Sequence, residues 1–573
     1  MGAEAAPAGA ATRPVTVPRI ALTSAALCAI VWIPFAGIVV SQDSPVRFFD
    51  VAASSGIAFT PTNGASPAKH IVETMGSGGL FFDYDGDGWI DVFLVDGGSV
   101  VDTAVAARAR SRLFHNRGDG TFEDVTERSK IAHRAYGMGA CAADYDNDGH
   151  DDLYLTNFGP NALYHNNGDG TFTDVTAAAG VGTSSLSTSC AFADVDNDGF
   201  VDLFVTNYVD PENNSKVCGD SRARAYCRPD VYKGAPNVLY HNNGDGTFTD
   251  ITRQAGVYTT RGKGLGVVFG DYDNDGRVDF FVANDLVPNF LYHNEGGGRF
   301  TEVGLPAGVA VSSDGRARAG MGTDFGDYDG DGRLDLVVTN FEMETHNLFR
   351  NLGQGLFADA TLVSGVGAAT VKYLGFGATF LDYDNDGMLD LAIANGHVLD
   401  NAAIFQSASK YAQRKLLLRN DGRGRFTDVA ASAGPGFALE RVSRTLVAGD
   451  IDNDGDLDLL VTNNGQPANL LRNDGGNRRP AVQIRLIGRK SNRDGIGARL
   501  TATIGGRTQI REIKAGSSYL GQNDLRAHVG LGAAKEIDRL EVRWPGGHVD
   551  VVEHIAASSI ITLTEGGDVR RIK

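Results

Sequence analysis

Tryptophan occurs three times, cysteine five and methionine six times in 573 residues, and only 52 basic side chains stand against 71 acidic ones. Three tryptophans are too few for a quinone-dependent propeller dehydrogenase, a Trp-rich class. No cluster of lysine and arginine rises above ordinary solvated surface, so a nucleic-acid interface is excluded. There is no Walker or dinucleotide loop; the glycine-rich runs belong to turns. No nucleophile elbow surrounds Ser518, so Ser518, Asp524 and His528 do not read as a hydrolase. No catalytic residue and no organic cofactor is assigned, and the chain is not expected to be an enzyme. The long uncharged apolar run is Ile20 to Val40, behind Arg13 and Arg19. It reads as a signal peptide or a signal anchor (residues 20–41, with 1–19 as the flanking n-region), and membrane attachment through it stays open. Either reading exports the rest of the chain to the periplasm, the cell surface or the medium.

What the chain has in abundance is one nine-residue phrase, Asp-x-Asp-x-Asp-Gly-x-x-Asp, written seven times. The carboxylates at positions one, three, five and nine are Asp83, Asp85, Asp87 and Asp91; Asp144, Asp146, Asp148 and Asp152; Asp194, Asp196, Asp198 and Asp202; Asp271, Asp273, Asp275 and Asp279; Asp327, Asp329, Asp331 and Asp335; Asp382, Asp384, Asp386 and Asp390; and Asp450, Asp452, Asp454 and Asp458. Hard oxygens at alternating positions, closed by a later carboxylate, suit Ca²⁺. Position seven is unconstrained (Trp89, His150, Phe200, Arg277, Arg333, Met388, Asp456), as expected if it offers a backbone carbonyl. Position six is always Gly and position four only Gly or Asn, residues that tolerate positive φ and let the chain curl round an ion. An EF-hand closes with Glu at position twelve between helices; here the closing residue is Asp at nine and the flanks are β-type runs. Four carboxylates crowded together seven times would repel one another without a cation. Seven Ca²⁺ would return +14 to a formal charge of −19, leaving −5, so the acidity points to metal rather than to a basic partner.

The flanks of the phrase repeat too. Each copy reads as an inner strand, the loop, a second strand, a third ending in Asn (Leu113 to Asn116 in the first copy, Leu470 to Asn473 in the last), and in most copies a fourth of Thr-Phe-Thr-Asp-Val type. Four antiparallel strands per repeat predict a β-propeller blade, and seven copies a seven-bladed ring. The seventh copy lacks its fourth strand while an orphan, Phe48 to Val51, precedes the first, so the N-terminal side is expected to close the ring over residues 47–476. His115, His165, His241 and His293 hold one register in four blades and read as repeat positions, not one metal cluster. Arg117-Gly118-Asp119 occupies a turn that other blades fill with Asn-Gly-Asp and reads as chance. Two insertions, Tyr208 to Ala235 and Asn395 to Arg414, are candidates for a partner surface. Cys218 and Cys227 lie close together in the first and are expected to pair in an oxidising compartment. Cys141 and Cys190 each precede a loop inside an apolar strand and read as buried thiols. Residues 480–567 lack the Asp phrase, alternate in strand fashion and predict a second, small all-β domain.

The Asp loops resemble the FG-GAP/VCBS repeats of integrin α-chain propellers. The last segment is similar to the ASPIC/UnbV domain through Arg493 to Ala498, Gly516 to Leu520, Gln522 to Asp524, Gly530 to Gly532 and Trp544-Pro545, with Gly521, Val529 and Gly546 departing from the expected Ser, Phe and Ser. Together they resemble the family of cartilage acidic protein and its bacterial relatives, as does the insertion segment Tyr226 to Pro229 with Tyr232 and Gly234. The resemblance implies a seven-bladed propeller with a C-terminal β-sandwich-like domain, exported and binding Ca²⁺ in only some blades, where the seven loops of this chain allow up to seven, in an adhesion or ligand-binding role toward a protein or glycan. UnbV-type relatives also imply an alternative, an accessory role in enediyne-like natural-product biosynthesis.

Overall fold

The inner strands are rich in small and apolar residues, as in Gly264–Gly270 (GLGVVFG), while the second strands are rich in β-branched and aromatic ones, as in Asp202–Asn207 (DLFVTN). Such segments bury both faces, and they do so in the computed structural model, which describes residues 46–210, 216–405 and 407–573. Residues 1–45, with the Ile20 to Val40 segment read as a signal or anchor, lie outside the described residues. Among the described residues no helix is long and apolar enough to cross a membrane.

Seven groups of four antiparallel strands follow one another among the described residues, the second and third joined into one sheet where Ser184, Ser185 and Leu186 pair with Pro160, Gly159 and Phe158. The fourth is typical: Gly264–Gly270, Asp279–Asn284, Phe290–Asn294 and Phe300–Glu302 pair in sequence order. The seventh takes Ser443–Gly449, Asp458–Asn463 and Gln466–Asp474 from the end of the repeats and borrows its outer strand, Arg47–Asp50, from the start. The register is Phe48 against Asn473 and Asp50 against Leu471. An apolar core fills each junction between neighbouring sheets, and the last joins seventh to first: Val447, Leu460 and Leu470 pack with Phe81, Val92 and Phe114. The sheets therefore close into a β-propeller with no free edge between first and last.

A second closure repeats at every junction. The Asn that ends each third strand reaches back to the preceding sheet and donates to the backbone carbonyl at position two of its loop: Asn116 to Ile451, Asn166 to Tyr84, Asn242 to Tyr145, Asn294 to Val195, Asn351 to Tyr272, Asn420 to Tyr328 and Asn473 to Tyr383, all at 2.7–2.9 Å. Each Asn is buried, and its amide also donates within its own sheet, so none of these polar groups is left unpaired.

Residues after the ring form two further four-stranded sheets. One contains Ala481–Ile487 and Ser559–Thr564 in parallel; the other is built on Arg499–Ile504 and Glu536–Arg543. Their facing side chains, among them Ile484, Leu500, Leu540 and Trp544, belong to one core that continues into Phe192, Phe269 and Val278 of the ring. Residues 44–573 accordingly form one compact unit.

The connection Ala515–Asp524 leaves this sandwich and enters the channel at the centre of the ring, where it touches all seven inner strands. Gly521 and Gln522 pair with Gly79 and Leu80 of the first sheet, and the Gln522 side chain accepts the Ala142 amide of the second at 3.0 Å. Phe192 of the third donates to Ala515, and Thr323 of the fifth exchanges two backbone hydrogen bonds with Ser518. Asn523 donates to Thr379 of the sixth, and the Ser518 hydroxyl donates to Leu446 of the seventh at 2.7 Å. At Gly266 of the fourth, a Cβ would stand 3.2 Å from the Ser518 carbonyl. The close approach explains Gly78, where a Cβ would meet the Leu520 carbonyl at 2.2 Å.

Among the described residues the cysteines form two disulfides. Cys218 is bonded to Cys227 across the hairpin of the first insertion. Cys141 is bonded to Cys190, which corrects the expectation of two buried thiols. The two residues lie on the inner strands of neighbouring sheets, Tyr136–Ala143 and Ser184–Ala193, and their Cα atoms are 5.8 Å apart, within bonding range. Each blade alone offers one thiol; only the ring brings the two together.

Candidate metal centre

Each Asp loop joins the inner strand of a sheet to the second, and its backbone wraps the carboxylates in the same way seven times. Position one accepts the N–H of the position-six Gly, at 3.0 Å for Asp83 and Gly88 and 2.7 Å for Asp144 and Gly149. Position five accepts the N–H of position seven, as Asp87 does from Trp89 at 2.9 Å. Position nine ties the loop to the sheet: Asp279 accepts the Asn294 amide at 2.8 Å and the Tyr272 amide at 3.3 Å. Position four takes positive φ throughout, from 54° at Asn385 and Asn453 to 72° at Gly86 and Gly330, and every position-six Gly does the same. Four of the Asn side chains at position four use this turn to reach the next loop, among them Asn147 to the Gly199 carbonyl and Asn385 to that of Gly455, both at 2.9 Å.

These hydrogen bonds leave carboxylate oxygens over. Buried oxygens without any partner remain on Asp83 at position one, on Asp196, Asp329, Asp384 and Asp452 at position three, on Asp456 at position seven and on Asp390 at position nine. Oxygens of Asp83, Asp85 and Asp91 lie within 4.8 Å of one another. Buried carboxylate oxygens without a donor are costly, and an all-oxygen set of this size suits a hard divalent cation of calcium type. Burial pushes Asp91, Asp152, Asp194, Asp279 and Asp450 up to about 7, and Asp382, beside Asp386, to about 8. Asp335, Asp390 and Asp458 are raised well above the ordinary carboxylate value by the same cause. The side chains at position seven, such as Trp89 and Phe200, cover neighbouring turns, Gly118 and Gly244, rather than entering the cradle.

Sequence reasoning missed a basic partner in six of the seven loops. The residue before the clasping Asn is His in the first four sheets, and its ring faces its own carboxylates. His165 lies 3.1 Å from Asp152 and 3.2 Å from Asp146; His115 lies 3.2 Å from Asp85. Hydrogen bonding to position nine raises His165, His241 and His293 to about 9. The same register holds Arg350, 2.6 Å from Asp329, and Arg419, 3.6 Å from Asp386; Arg472 turns to Asp474 instead. The histidines do not converge on one another, yet each stands beside the carboxylates of one loop. The signal was present in the sequence as a basic residue in fixed register in all seven copies.

The C-terminal sandwich sits on this loop face. Arg485 pairs with Asp83 at 3.2 Å, Arg543 with Asp271 and Arg479 with Asp384 at 3.0 Å; Gln483 donates to Asp450, and the Asp144 amide donates to Asp494 at 2.8 Å. The sandwich thus rests on the loop face, while Asp85, Asp87, Asp148, Asp198 and Asp275 stay exposed beside it. Ser518 is fully buried in the channel, and His528 faces the Gly455 carbonyl at 3.2 Å, so the two are not joined.

The two insertions connect second and third strands, at the opposite end of the ring from the loops. Arg222 of the first donates to the Ile404 carbonyl of the second at 2.8 Å and lies over the Phe405 ring; Asn401 donates to the Arg224 carbonyl at 2.7 Å. Far apart in sequence, they form one cover.

Comparison with known proteins follows this division. FG-GAP-like repeat matches span residues 83–155, 144–205, 227–282, 271–338, 327–393 and 407–461, and a match to ASPIC and UnbV spans 488–570. Cartilage acidic protein 1 of Homo sapiens is 30% identical over 336 residues, 55% of this chain and 46% of that protein. The Xenopus tropicalis protein of the same name is 27% identical over 312 residues, 53% of this chain and 44% of that one. The chain thus spans about half the length of the curated relatives it matches. Among solved structures, the BP39L lectin from Burkholderia pseudomallei is 10% identical with a TM-score of 0.40, covering 70% of this chain and 95% of that one.

Proposed function

The chain belongs to the FG-GAP-like repeat family and carries an ASPIC and UnbV domain, and from that premise we propose that it is an exported propeller, stiffened by calcium, that works by binding a protein or glycan ligand in adhesion or matrix contact. The observation that carries this reading is the sevenfold set of buried carboxylate loops, four of them with a partnerless oxygen at position three. Calcium supplies the missing positive charge there; positions one, three, five and nine of each loop hold it, with the position-seven carbonyl as a further donor. Two disulfides fit an oxidising compartment outside the cytosol. Since the sandwich is seated on the loop face, the ligand meets the opposite face, under the two insertions.

The calcium-loaded chain, immobilised and presented with glycans and with cell-surface proteins, is expected to retain a ligand. Retention should fall with chelator, return with calcium, and fall again when the cover is cut away by deleting residues 217–230. A chain that retains nothing beyond its chelated control, across both ligand classes, contradicts the reading.

A further inference from the structure

Beneath the two insertions lies a chamber of about 660 Å³, at the end of the channel away from the Asp loops. Its volume is in the range of small-molecule sites. The floor includes Phe376, whose ring meets the Tyr519 ring of the channel segment at 5.0 Å. The walls carry Met75, Tyr208 and Met321, and the roof is the Cys218–Cys227 hairpin clasped to Phe405 of the second insertion. The roof is fastened again at its edge, where Tyr226 donates to buried Glu73 at 3.0 Å and Lys69 pairs with Asp400.

Among the chamber's charged side chains the acids Asp220, Asp230, Asp285 and Glu344 outnumber the one base, Arg228. Asp285, 9% exposed, stands at the wall and accepts the Tyr208 hydroxyl at 2.6 Å; Glu344 stands beside it, accepting the Ala319 amide. The basic groups near them are spent elsewhere. The Lys263 ammonium donates to the Pro229 carbonyl at 2.6 Å, and Arg228, at the exposed rim, faces Asp230 at 3.5 Å. A site with an apolar aromatic body and two carboxylates at one side selects a ligand with an apolar body and one positive charge. The carboxylates hold the charge, and aromatic faces add cation–π attraction.

We propose that this chamber binds a small hydrophobic ammonium compound, its cationic end at Asp285 and Glu344 and its apolar part against Phe376 and Met321. The proposal rests on the binding-module reading and adds to it a site and a ligand class.

Three probes of equal chain length test it by calorimetric titration into the full calcium-loaded chain: octylammonium, octanol and octanoate. Octylammonium is expected to bind about tenfold tighter than octanol, and octanoate weakest, because only the first complements the carboxylates. Asp285→Asn should bring octylammonium to within about twofold of octanol while leaving octanol unchanged; Glu344→Gln, at a half-buried position, gives the same loss in part and serves if the first variant melts early. Val398→Trp, which fills the chamber from its wall, should abolish binding of all three probes. Octanoate binding as tightly as octylammonium overturns the proposal, as does octylammonium binding that survives Val398→Trp. If no probe binds while the chain still retains a macromolecular ligand, the chamber proposal fails and the binding-module reading stands. If octylammonium binds as described while no macromolecular ligand is retained, the failure lies with the adhesion reading alone.

Discussion

Stripping calcium with a chelator is expected to lower the melting temperature of residues 44–573 steeply at pH 8 and much less at pH 5. Without a cation, burial favours the protonated form of the loop carboxylates, whose folded values of about 7 to 8 lie above the ordinary 3.8. For a group raised in this way, stability is fully present below the unfolded value and is lost as pH climbs through the folded one. The cation-free ring is therefore weakest at pH 8. Calcium needs the same carboxylates ionised, so its hold tightens over the same range. The gap between loaded and chelated protein widens from pH 5 to pH 8. At calcium a thousandfold above Kd, each occupied site contributes about 4 kcal/mol to the loaded state. Loops act on the same cooperative ring, so the effects of several add. Scanning calorimetry with and without chelator at both pH values checks this, and equal melting temperatures at pH 8 would remove the structural role assigned to the ion.

The second large effect concerns the segment in the channel. Tyr519 is fully buried, its hydroxyl donates to the Met75 carbonyl at 3.1 Å, and its ring supports Phe376. Tyr519→Ala leaves a cavity at the one place where all the inner strands meet and is expected to cost about 4 kcal/mol. Tyr519→Phe keeps the ring and loses a single hydrogen bond, about 1 kcal/mol. A chain ending at Arg479 loses the whole segment, together with Arg485 and Arg543 on the loop face and the core shared with Phe192 and Phe269. It should fail to accumulate as a folded ring, whereas a ring independent of the sandwich would melt where the full chain does. Thermal melts and limited proteolysis of the three variants separate these outcomes.

The contrast between what the sequence reveals and what it hides follows from the range of the interactions involved. The loop is local: nine residues carry the ligands, the glycines and the turn, so chemistry and backbone conformation can be read together from Asp83 to Asp91. The pairing of Arg47–Asp50 with Gln466–Asp474 is distant but leaves a trace, since one end lacks a strand that the other has spare. Contacts between neighbouring sheets leave no such trace in a single repeat. Cys141 looks like a buried thiol until the ring sets it beside Cys190. Asn351 looks like the end of a strand until it is seen to hold Tyr272 of the preceding sheet. Gly516 to Gln522 carries its glycines and serines because it threads a channel built by other residues, which the segment itself does not disclose. The face of the ring that carries the loops was legible as a place for ions, and the seating of the sandwich on it was not.

The account depends most on calcium being part of the folded protein. Elemental analysis of the purified chain, exchanged into metal-free buffer without chelator, tests this directly. The account predicts about seven calcium ions per chain, one for each loop, falling by about one with Asp279→Ala, which removes the position-nine carboxylate of the fourth loop. A folded chain that carries no bound calcium, and takes up none when it is added back, would contradict it.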